Sequence, residues 1–366
     1  MIPRVMFVGR TRYRLPLDPG LARKWDALSA QMDVRVVASG TGRDPRFRLV
    51  PRRPLDGPSF YLTLPWVVAS ELRRFRPDVV LAESPYEAAA VELACRIARS
   101  DALVVAEVHG DWRVWASHYG SRARALLGPL SGAVAGFGVD HADGHRAVSG
   151  FTASLVASRG HEPLGVFTTY SDLSAFHEPL VPVPDDPRVL FVGVLERYKN
   201  VEGLAAGWRL VAQAVPEARL HLVGQGTLTE VAEELAREGV RWDRRLEPPE
   251  LARALDGARA LVLPSASEGL PRVAIEAFAR GRAVIGTRAG GIPDIVEDET
   301  NGLLVELGDA DGLARAIERI VTDHPLAVRL GAAAAEASGR WVSTPEEYAA
   351  RVRGVVDAAR ARAGRG

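Results

Sequence analysis

The chain has 366 residues, of which 47% are hydrophobic and 25% are charged, and its formal net charge at pH 7 is zero. These values are typical of a globular protein with enough residues for two domains. A balanced charge excludes a chain that is basic as a whole, so we expect no nucleic acid partner. Arginines are nevertheless concentrated in the first part of the chain. This concentration indicates either a solvated surface or a basic rim that meets phosphate groups or an anionic membrane.

The chain contains one cysteine, Cys95, so an internal disulfide is excluded. A single cysteine is compatible with a reducing compartment. The N-terminal sequence MIPRVMFVGR enters a predicted strand directly and lacks the apolar stretch of a signal peptide. No run reaches the roughly 20 apolar residues that span a bilayer. We expect a cytoplasmic protein, with peripheral association at the inner face of the membrane as the alternative.

Short runs rich in β-branched residues alternate with helical periodicity in the first half of the chain, which predicts strand–helix units around a parallel sheet. The strands are nearly continuous in apolar character, as a sheet covered on both faces requires. The predicted strands are Arg4–Val8, Val34–Ala38, Asp78–Ala82, Leu103–Val108 and Arg146–Val148. The predicted helices are Gly20–Gln31, Tyr61–Arg74, Tyr86–Arg99 and Phe151–Ser158.

Residues 178–187, EPLVPVPDDP, contain four prolines and three acids, which excludes a helix or a central strand and predicts an interdomain linker. The same alternation then restarts. The predicted strands are Arg188–Val192, Arg219–Val223, Val240–Trp242, Ala260–Leu263, Ala283–Gly286 and Leu303–Val305. The predicted helices are Val201–Ala214, Thr227–Arg237, Glu250–Leu255, Pro271–Ala279, Asp311–Val321 and a terminal helix from Thr344, with Pro345 in its first turn.

The segment PSASEGLPRVAIEAFARG, residues 264–281, carries the strongest site signal. Ligands of doubly wound sheets bind beyond the carboxyl ends of the strands, and this segment follows such an end. Glu268 and Gly269 precede a predicted helix that contains Glu276, and the helix start offers free N–H groups and a partial positive charge. Carboxylates with backbone donors suit sugar and ribose hydroxyls. The alternative is a helix whose dipole is capped by acids.

The segment LFVGVLERYKNVEGL, residues 190–204, places Arg197 and Lys199 beyond another strand end. Lysine occurs only at Lys24 and Lys199, and all the other residues counted as lysine or arginine are arginines. A compact point charge at this place would suit a diphosphate. The alternative is a surface cation near a turn.

Two glycines, Gly224 and Gly226, follow the next strand and open a helix. A dinucleotide fingerprint would need a third glycine where Thr229 stands. The pair therefore predicts a tight strand–helix turn and disfavours an oxidoreductase that uses a dinucleotide.

Polar side chains also follow two strands of the N-terminal half. His109 and Asp111 come after the strand that ends at Val108, and His109 could donate a hydrogen bond to a sugar; a structural histidine is the alternative. The absence of a second histidine or a cysteine at ligand spacing argues against a metal site. Arg10, Arg12 and Arg14 follow the first strand in GRTRYR, where a loop could hold an acceptor or a phosphate.

The two glutamates of EGLPRVAIE, separated by seven residues, resemble the signature of retaining family 4 glycosyltransferases with the GT-B fold. Further segments that resemble this family are FVGVLERYKNVEGL, HLVGQGT, VRWDRRLEPPELARAL and TRAGGIPDIVEDETNGLLV. In the N-terminal half the resemblance rests on EVHGDW and ADGHRAVSGFTASLV. It implies an α/β protein of two Rossmann-like, doubly wound parallel-sheet domains facing a cleft. We expect an acceptor-side domain at 1–180, a nucleotide-sugar domain at 185–343, and a helix at 344–366 that returns to the first domain.

The resemblance also implies roles for the matching residues. Glu268 would contact hydroxyls of the donor sugar, and Glu276 would hold the ribose. Lys199 would bind the diphosphate. His109 would approach the sugar from the other domain. The implied sets are His109, Lys199 and Glu268 for catalysis, Gly193, Arg197, Gly224, Arg244, Gly269, Leu270, Pro271 and Glu276 for the donor, and Arg10, Arg12, Arg14 and Asp111 for the acceptor side.

The implied reaction is retaining transfer of a hexosyl group from a nucleoside diphosphate sugar to a hydroxyl of a glycan, glycolipid or small metabolite. UDP is favoured over GDP, but the sequence does not fix the base or the hexose of the donor. No metal or other cofactor is expected. Val194 stands where the family usually has an arginine, and Arg197 is the candidate replacement. The alternatives are a sugar-nucleotide epimerase or hydrolase on the same fold, or a non-catalytic protein that binds sugar nucleotides. The sequence leaves the oligomeric state open.

Overall fold

The computed structural model describes residues 2–51, 56–114 and 128–364 of the chain. Within these residues the protein divides into two compact units. Unit 1 contains the described residues up to Val114, residues 128–171 and residues 343–364, and unit 2 contains Asp172–Val342. Each unit has a parallel sheet with helices on its faces, which confirms the predicted α/β class with two Rossmann-like domains.

The sheet of unit 1 consists of the parallel strands β1 (Arg4–Arg14), β2 (Asp33–Thr41), β3 (Phe47–Val50), β4 (Val79–Ala82), β5 (Leu103–Val108), β6 (Gly144–Ala147) and β7 (Gly165–Val166). Their order across the sheet is β3-β2-β1-β4-β5-β6-β7. The helices described for this unit are α1 (Pro19–Gln31), α2 (Asp56–Phe75), α3 (Pro85–Ala98), α4 (Gly128–His141), α5 (Gly150–Ala157) and the C-terminal helix (Pro345–Arg362).

Both faces of the unit 1 sheet are buried. Val5 and Phe7 of β1 pack with Trp25 of α1 in one apolar cluster. Met6 and Val8 point to the opposite face and pack in a second cluster, which α2 and α3 complete. Successive residues of a strand alternate between faces, so burial on both sides requires the nearly continuous apolar run seen in the sequence.

The C-terminal helix belongs to the first of these clusters, in which Tyr348 and Val352 are buried. The helix begins with a capping box. The Thr344 hydroxyl accepts from the Glu347 N–H at 3.1 Å, and the Glu347 carboxylate accepts from the Thr344 N–H at 2.9 Å. The predicted cap and first-turn proline of this helix are therefore confirmed.

The sheet of unit 2 consists of the parallel strands β8 (Arg188–Val192), β9 (Arg219–Val223), β10 (Arg241–Asp243), β11 (Ala260–Leu263), β12 (Ala283–Thr287) and β13 (Gly302–Val305). Their order is β10-β9-β8-β11-β12-β13. The helices described for this unit are α6 (Val201–Ala214), α7 (Thr229–Arg237), α8 (Pro248–Asp256), α9 (Arg272–Ala279), α10 (Ile292–Ile295), α11 (Ala310–Thr322) and α12 (His324–Ser338), with 3₁₀ turns at Ser174–Phe176 and Arg197–Lys199.

The segment GRTRYR was predicted as a loop after the first strand, and this prediction is wrong. Strand β1 continues to Arg14, with an irregularity between Val8 and Arg12 in its pairing with β2. The continuation buries Tyr13, while Arg10, Arg12 and Arg14 are exposed. Burial of the tyrosine ring against Trp25 and Phe47 outweighs the polar character of its neighbours.

Residues 178–187 form no helix or strand, as their prolines predict, but they are bound closely to unit 2. Arg280 donates to the Glu178 carbonyl at 2.7 Å, Arg282 to the Val181 carbonyl at 3.0 Å, and Arg259 to the Pro184 carbonyl at 3.2 Å. All three arginines are buried. The chain accordingly joins unit 2 at Asp172, before the boundary expected at residue 180.

No helix within the described ranges is long and apolar enough to cross a membrane.

Replacing Arg282 by methionine should lower the stability of unit 2 by about 3–5 kcal/mol, because several buried carbonyls lose their donor at about 1–3 kcal/mol each. Arg315 is exposed on α11, and Arg315→Met serves as the matched control, with an expected effect within about 0.5 kcal/mol. Calorimetric unfolding of the full chain measures both. Equal midpoints for the two variants would show that the bonds from Arg282 to residues 181 and 182 contribute nothing to stability.

Candidate functional site

The loops that follow β8 and β9 are packed against each other by glycines. A Cβ atom on Gly224 would lie 1.8 Å from the Gly193 carbonyl oxygen, and one on Gly226 would lie 2.5 Å from the Leu195 carbonyl oxygen. Gly224 also has a φ of +151°. The Gly-x-Gly pair therefore makes a tight turn, as predicted, and its second function is to let the two loops touch.

Lys199 lies at the end of the 3₁₀ turn that follows β8. Asn200 takes a left-handed conformation with φ +52° and starts α6, which turns the chain sharply after the lysine. The lysine side chain is 10% exposed. Its Nζ donates to Oε1 of Glu268 at 2.6 Å and lies 5.3 Å from the centre of the Tyr198 ring. The structure thus joins two predicted site residues that are far apart in sequence.

The loop that carries Glu268 is fixed from the side of β12. The Gly291 N–H donates to the Glu268 carbonyl at 2.8 Å. Gly290 has φ +58°, and a Cβ atom there would lie 2.5 Å from the same carbonyl oxygen. The contact made by this glycine pair was not predicted from the sequence, although two adjacent glycines shortly after a strand are a signal for close approach.

Glu276 lies in α9 and is 5% exposed. Arg272, one turn earlier, donates from Nε to its Oε1 at 2.7 Å. Burial raises the pKa of Glu276 above its ordinary value, and the Arg272 guanidinium opposes that rise. Arg272 was not among the predicted site residues. Pro271 precedes the helix at its N-cap position, and Gly269 and Leu270 are half-buried beside it.

The remaining predicted donor-side residues lie at the surface of unit 2. The Arg244 guanidinium stacks 4.9 Å from the Trp242 ring centre, and the Trp242 Nε1–H donates to the Gly224 carbonyl at 2.8 Å. Arg197 is exposed at the start of its 3₁₀ turn, and Val194 is 46% exposed.

In unit 1, His109 belongs to a chain of polar contacts at the carboxyl end of β5. Its Nε2 lies 3.1 Å from Oε2 of Glu107, and its Nδ1 lies 3.3 Å from the Thr169 hydroxyl. Nη1 of the buried Arg146 donates to the other oxygen of Glu107 at 2.8 Å. Burial tends to raise the pKa of Glu107, but Arg146 and His109 outweigh it and lower that pKa to about 2.

The contact with Glu107 bears on which nitrogen of His109 carries a proton. A carboxylate only accepts hydrogen bonds, so Nε2 must carry the proton that points at Glu107. In the neutral ring, Nδ1 is then an acceptor, whereas in the doubly protonated ring it is a donor. The donation to a sugar that the sequence suggests stays a prediction. Glu107 and Arg146 were also missed, although a glutamate and an arginine inside two short buried strands are unusual enough to be noticed.

The acceptor-side residues are not gathered into one contact cluster. Asp111 accepts from the side chain and the backbone of Arg113 at 2.8 to 3.0 Å. Thr11, between two of the exposed arginines of β1, donates to Oε2 of Glu83 at 2.7 Å. Within residues 2–51, 56–114 and 128–364, no group of three or more histidines, cysteines and acids is arranged to hold a metal ion.

The pKa of Glu276 should rise further in an Arg272→Met variant, because the buried carboxylate loses the cation that opposes its desolvation. Since a raised folded-state pKa favours the protonated folded form, the variant should lose stability relative to the wild type as the pH rises from the wild-type pKa of Glu276, which lies above 4.5, through the higher pKa of the variant. Carbon-13 NMR of the Glu276 carboxyl and unfolding at several pH values measure the two effects.

The matched control is Arg353→Met on the C-terminal helix, which removes a similar arginine–acid pair four residues apart. It should leave the Glu276 titration unchanged. An Arg272→Met titration identical to the wild type would mean that Arg272 does not control the charge of Glu276.

Two family profiles of glycosyltransferases match this chain. The family profile described as "Glycosyltransferase Family 4" matches residues 21–170, and the profile described as "Glycosyl transferases group 1" matches residues 186–323. The two matches together cover most of unit 1 and of unit 2.

Curated relatives match only part of the chain. Sulfoquinovosyl transferase SQD2 of Arabidopsis thaliana is 31% identical over 162 residues, 43% of this chain and 31% of the relative. D-inositol 3-phosphate glycosyltransferase of Thermobifida fusca is 33% identical over 221 residues, 52% and 50% of the two chains. Alpha-maltose-1-phosphate synthase of Mycolicibacterium smegmatis is 35% identical over 167 residues, which are 41% of this chain and 42% of the relative. The chain thus spans half or less of the length of these relatives.

Solved structures match nearly the whole fold. Sucrose-phosphate synthase from Thermosynechococcus elongatus superposes with a TM-score of 0.77 at 22% identity, covering 96% of this chain and 97% of that one. HepE of Anabaena, in complex with UDP and glucose, superposes with a TM-score of 0.67 at 18% identity. The match covers 99% of this chain and 98% of HepE. At these identities the similarity establishes the fold.

Proposed function

Because the chain belongs to the family 4 glycosyltransferases and has their GT-B fold, we propose that it moves a hexosyl group from a nucleoside diphosphate sugar to an acceptor hydroxyl with retention of the anomeric configuration. The observation that carries this proposal is the buried ion pair between Lys199 and Glu268 at the carboxyl end of the unit 2 sheet. The acceptor is a glycan, a glycolipid or a small metabolite.

The pair provides both chemical groups that a sugar diphosphate needs. An ammonium group has three donors, and Lys199 uses one of them on Glu268. Two donors remain for the diphosphate oxygens. Glu268 keeps a second carboxylate oxygen that can accept from a sugar hydroxyl. The pair is nearly buried, so its charges act on the ligand with little screening by water.

Glu276 is assigned to the ribose. Arg272 donates to its Oε1 and opposes the rise in the Glu276 pKa that burial causes, and Oε2 is left as an acceptor for a ribose hydroxyl. Arg244, stacked on Trp242, supplies a flat cationic surface near the turn at Gly224. We assign this surface to the nucleotide base. UDP is the preferred nucleotide in this proposal, supported by the solved neighbour HepE, whose complexes contain UDP and UDP-glucose.

The reaction then depends on positioning and on electrostatic stabilisation. Lys199 and the exposed Arg197 neutralise the charge that grows on the departing diphosphate. The acceptor attacks from the same face as the leaving group, and the leaving phosphate takes the acceptor's proton. The bond between the anomeric carbon and the phosphate oxygen breaks as the new glycosidic bond forms. In this proposal the cationic side chains do the work of a metal ion, and none is required.

Replacing Lys199 by alanine should lower kcat for transfer by about 10²-fold or more, since one preorganised group facing developing charge contributes about 3–4 kcal/mol. The matched control is Arg315→Ala, an exposed cation on α11 whose removal should leave turnover unchanged. Wild-type transfer from UDP-hexoses should persist in EDTA.

Three outcomes would contradict this assignment. Wild-type turnover by Lys199→Ala would remove the lysine from the mechanism. Turnover of the donor alone to an epimer or a free sugar, without acceptor, would favour an epimerase or hydrolase. Tight binding of UDP-sugars with no transfer across an acceptor panel would favour a binding protein.

Replacing Glu276 by alanine should weaken UDP binding about tenfold, because a charge-assisted hydrogen bond to the ribose is lost at about 1.5 kcal/mol or more. Isothermal calorimetry with UDP measures this directly. Glu233→Ala, on the exposed face of α7, is the control and should bind UDP as the wild type does. An unchanged affinity in Glu276→Ala would exclude the ribose assignment.

A further inference from the structure

A buried chain of contacts in unit 1 connects Arg146, Glu107, His109 and Thr169. We infer that Glu107 and Arg146 are positioning residues that hold the His109 ring as one tautomer, with Nδ1 presented as a hydrogen-bond acceptor to a substrate hydroxyl. This inference rests on the proposed glycosyl transfer for its substrate, but the contacts that carry it lie entirely within unit 1.

The inner end of this chain is fixed by packing. Arg146 is fully buried in β6, and its Nη2 donates to the Phe167 carbonyl at 3.0 Å. Its guanidinium lies 4.3 Å from the Phe167 ring centre and 5.7 Å from that of Tyr348 on the C-terminal helix. Both Nη groups of Arg146 are therefore engaged. Glu107, also buried, has one carboxylate oxygen committed to Arg146 and the other facing His109.

The outer end of the chain is open. The His109 side chain is 36% exposed, in contrast to its two buried partners. Its contact to the Thr169 hydroxyl, at 3.3 Å, is the longest of the three. A ligand hydroxyl can replace Thr169 at Nδ1 without disturbing Glu107 or Arg146. The site thus offers one fixed acceptor nitrogen at the carboxyl edge of the sheet, where ligands of such sheets bind.

Other charged groups face this chain from neighbouring elements. Lys24 of α1 is buried over the rings of Trp25 and Tyr348, at 5.0 and 5.5 Å from their centres. Within the described part of the chain, no carboxylate lies within ion-pair distance of its Nζ. Glu83, after β4, adds a second negative charge nearby, and the fields of Glu83 and Glu107 both act on Lys24. Lys24 and Arg146 are thus the cations, and Glu83 and Glu107 the carboxylates, whose fields act on one another behind His109.

The geometry makes a sharp prediction for Glu107→Gln. Arg146 has only donors, so it requires the amide oxygen of the glutamine on its own side. The amide NH₂ then faces His109, and the ring must present Nε2 as an acceptor and move its proton to Nδ1. A substrate hydroxyl would meet an N–H where it needs a lone pair. If Arg146 is also replaced by methionine, the amide can turn over, and its oxygen again accepts from Nε2.

Nitrogen-15 NMR of the histidine side chains in the full chain reports the tautomer, with His109→Asn used to identify the His109 signals. We expect the His109 ring to carry its proton on Nε2 in the wild type and in Arg146→Met. In Glu107→Gln the proton should lie on Nδ1. In the Glu107→Gln/Arg146→Met double variant it should return to Nε2. With UDP-hexose and an acceptor, kcat should fall by about 10- to 100-fold in Glu107→Gln, because a hydrogen bond to the substrate hydroxyl is replaced by two donors that face each other. The double variant should recover at least part of that loss, while KM for the donor changes less than kcat.

The double variant also removes both buried charges, so it separates a change of tautomer from simple loss of folding. An Nε2–H ring in Glu107→Gln, or a double variant no more active than the single one, would overturn the inference. A switched tautomer with wild-type kcat would show that His109 does not act through Nδ1. If the wild type transfers no sugar at all, the proposed function fails, whereas the NMR arms still decide whether Glu107 and Arg146 set the tautomer.

Discussion

Buried charge that must be compensated is the constraint on which both units depend. A charged side chain removed from water is tolerated only when a partner and further hydrogen bonds replace its hydration. Unit 2 meets this condition with Lys199 and Glu268, and unit 1 meets it with Arg146 and Glu107. Both pairs lie where parallel strands end. Lys199 and Glu268 keep unused donors and an unused carboxylate oxygen, and Glu107 leads to His109, whose side chain is partly exposed. The compensation that permits burial therefore also prepares each sheet edge for a ligand.

The same constraint explains the arginines beneath residues 178–187. A proline-rich segment has few N–H groups and cannot join a sheet, so its carbonyls need donors from elsewhere. Arg259, Arg280 and Arg282 supply them from one side of unit 2, and the Asp256 carboxylate accepts from Arg280 at 2.8 Å. A segment that reads as a flexible linker is thereby made part of the second unit. These bonds connect the segment that leads into β8 to the helices and strands of unit 2.

Much of the fold could be predicted because strands buried on both faces leave a clear apolar signal. Arg188–Val192 and Ala260–Leu263 have the predicted bounds in the structure. Helix α4 was not predicted, because its glycines argue against a helix; Gly138 is needed where a Cβ atom would lie 2.0 Å from the Pro85 carbonyl oxygen. For the site, single motifs pointed to Lys199 and Glu268 separately. Their ion pair joins positions 69 residues apart, and no local pattern encodes such a contact.

Val194 changes the balance of charge around the proposed diphosphate. With an apolar residue in the position where the family usually has an arginine, the cations of the loop from Gly193 to Asn200 are Arg197 and Lys199. Arg197 is exposed, so water and salt weaken its field, whereas Lys199 is buried and acts at close range. Glu268 offsets part of the lysine charge, and in the proposed complex a sugar hydroxyl that donates to the carboxylate would weaken this offset. Binding of the sugar and binding of the diphosphate should therefore support each other, because each ligand group satisfies one member of the same ion pair.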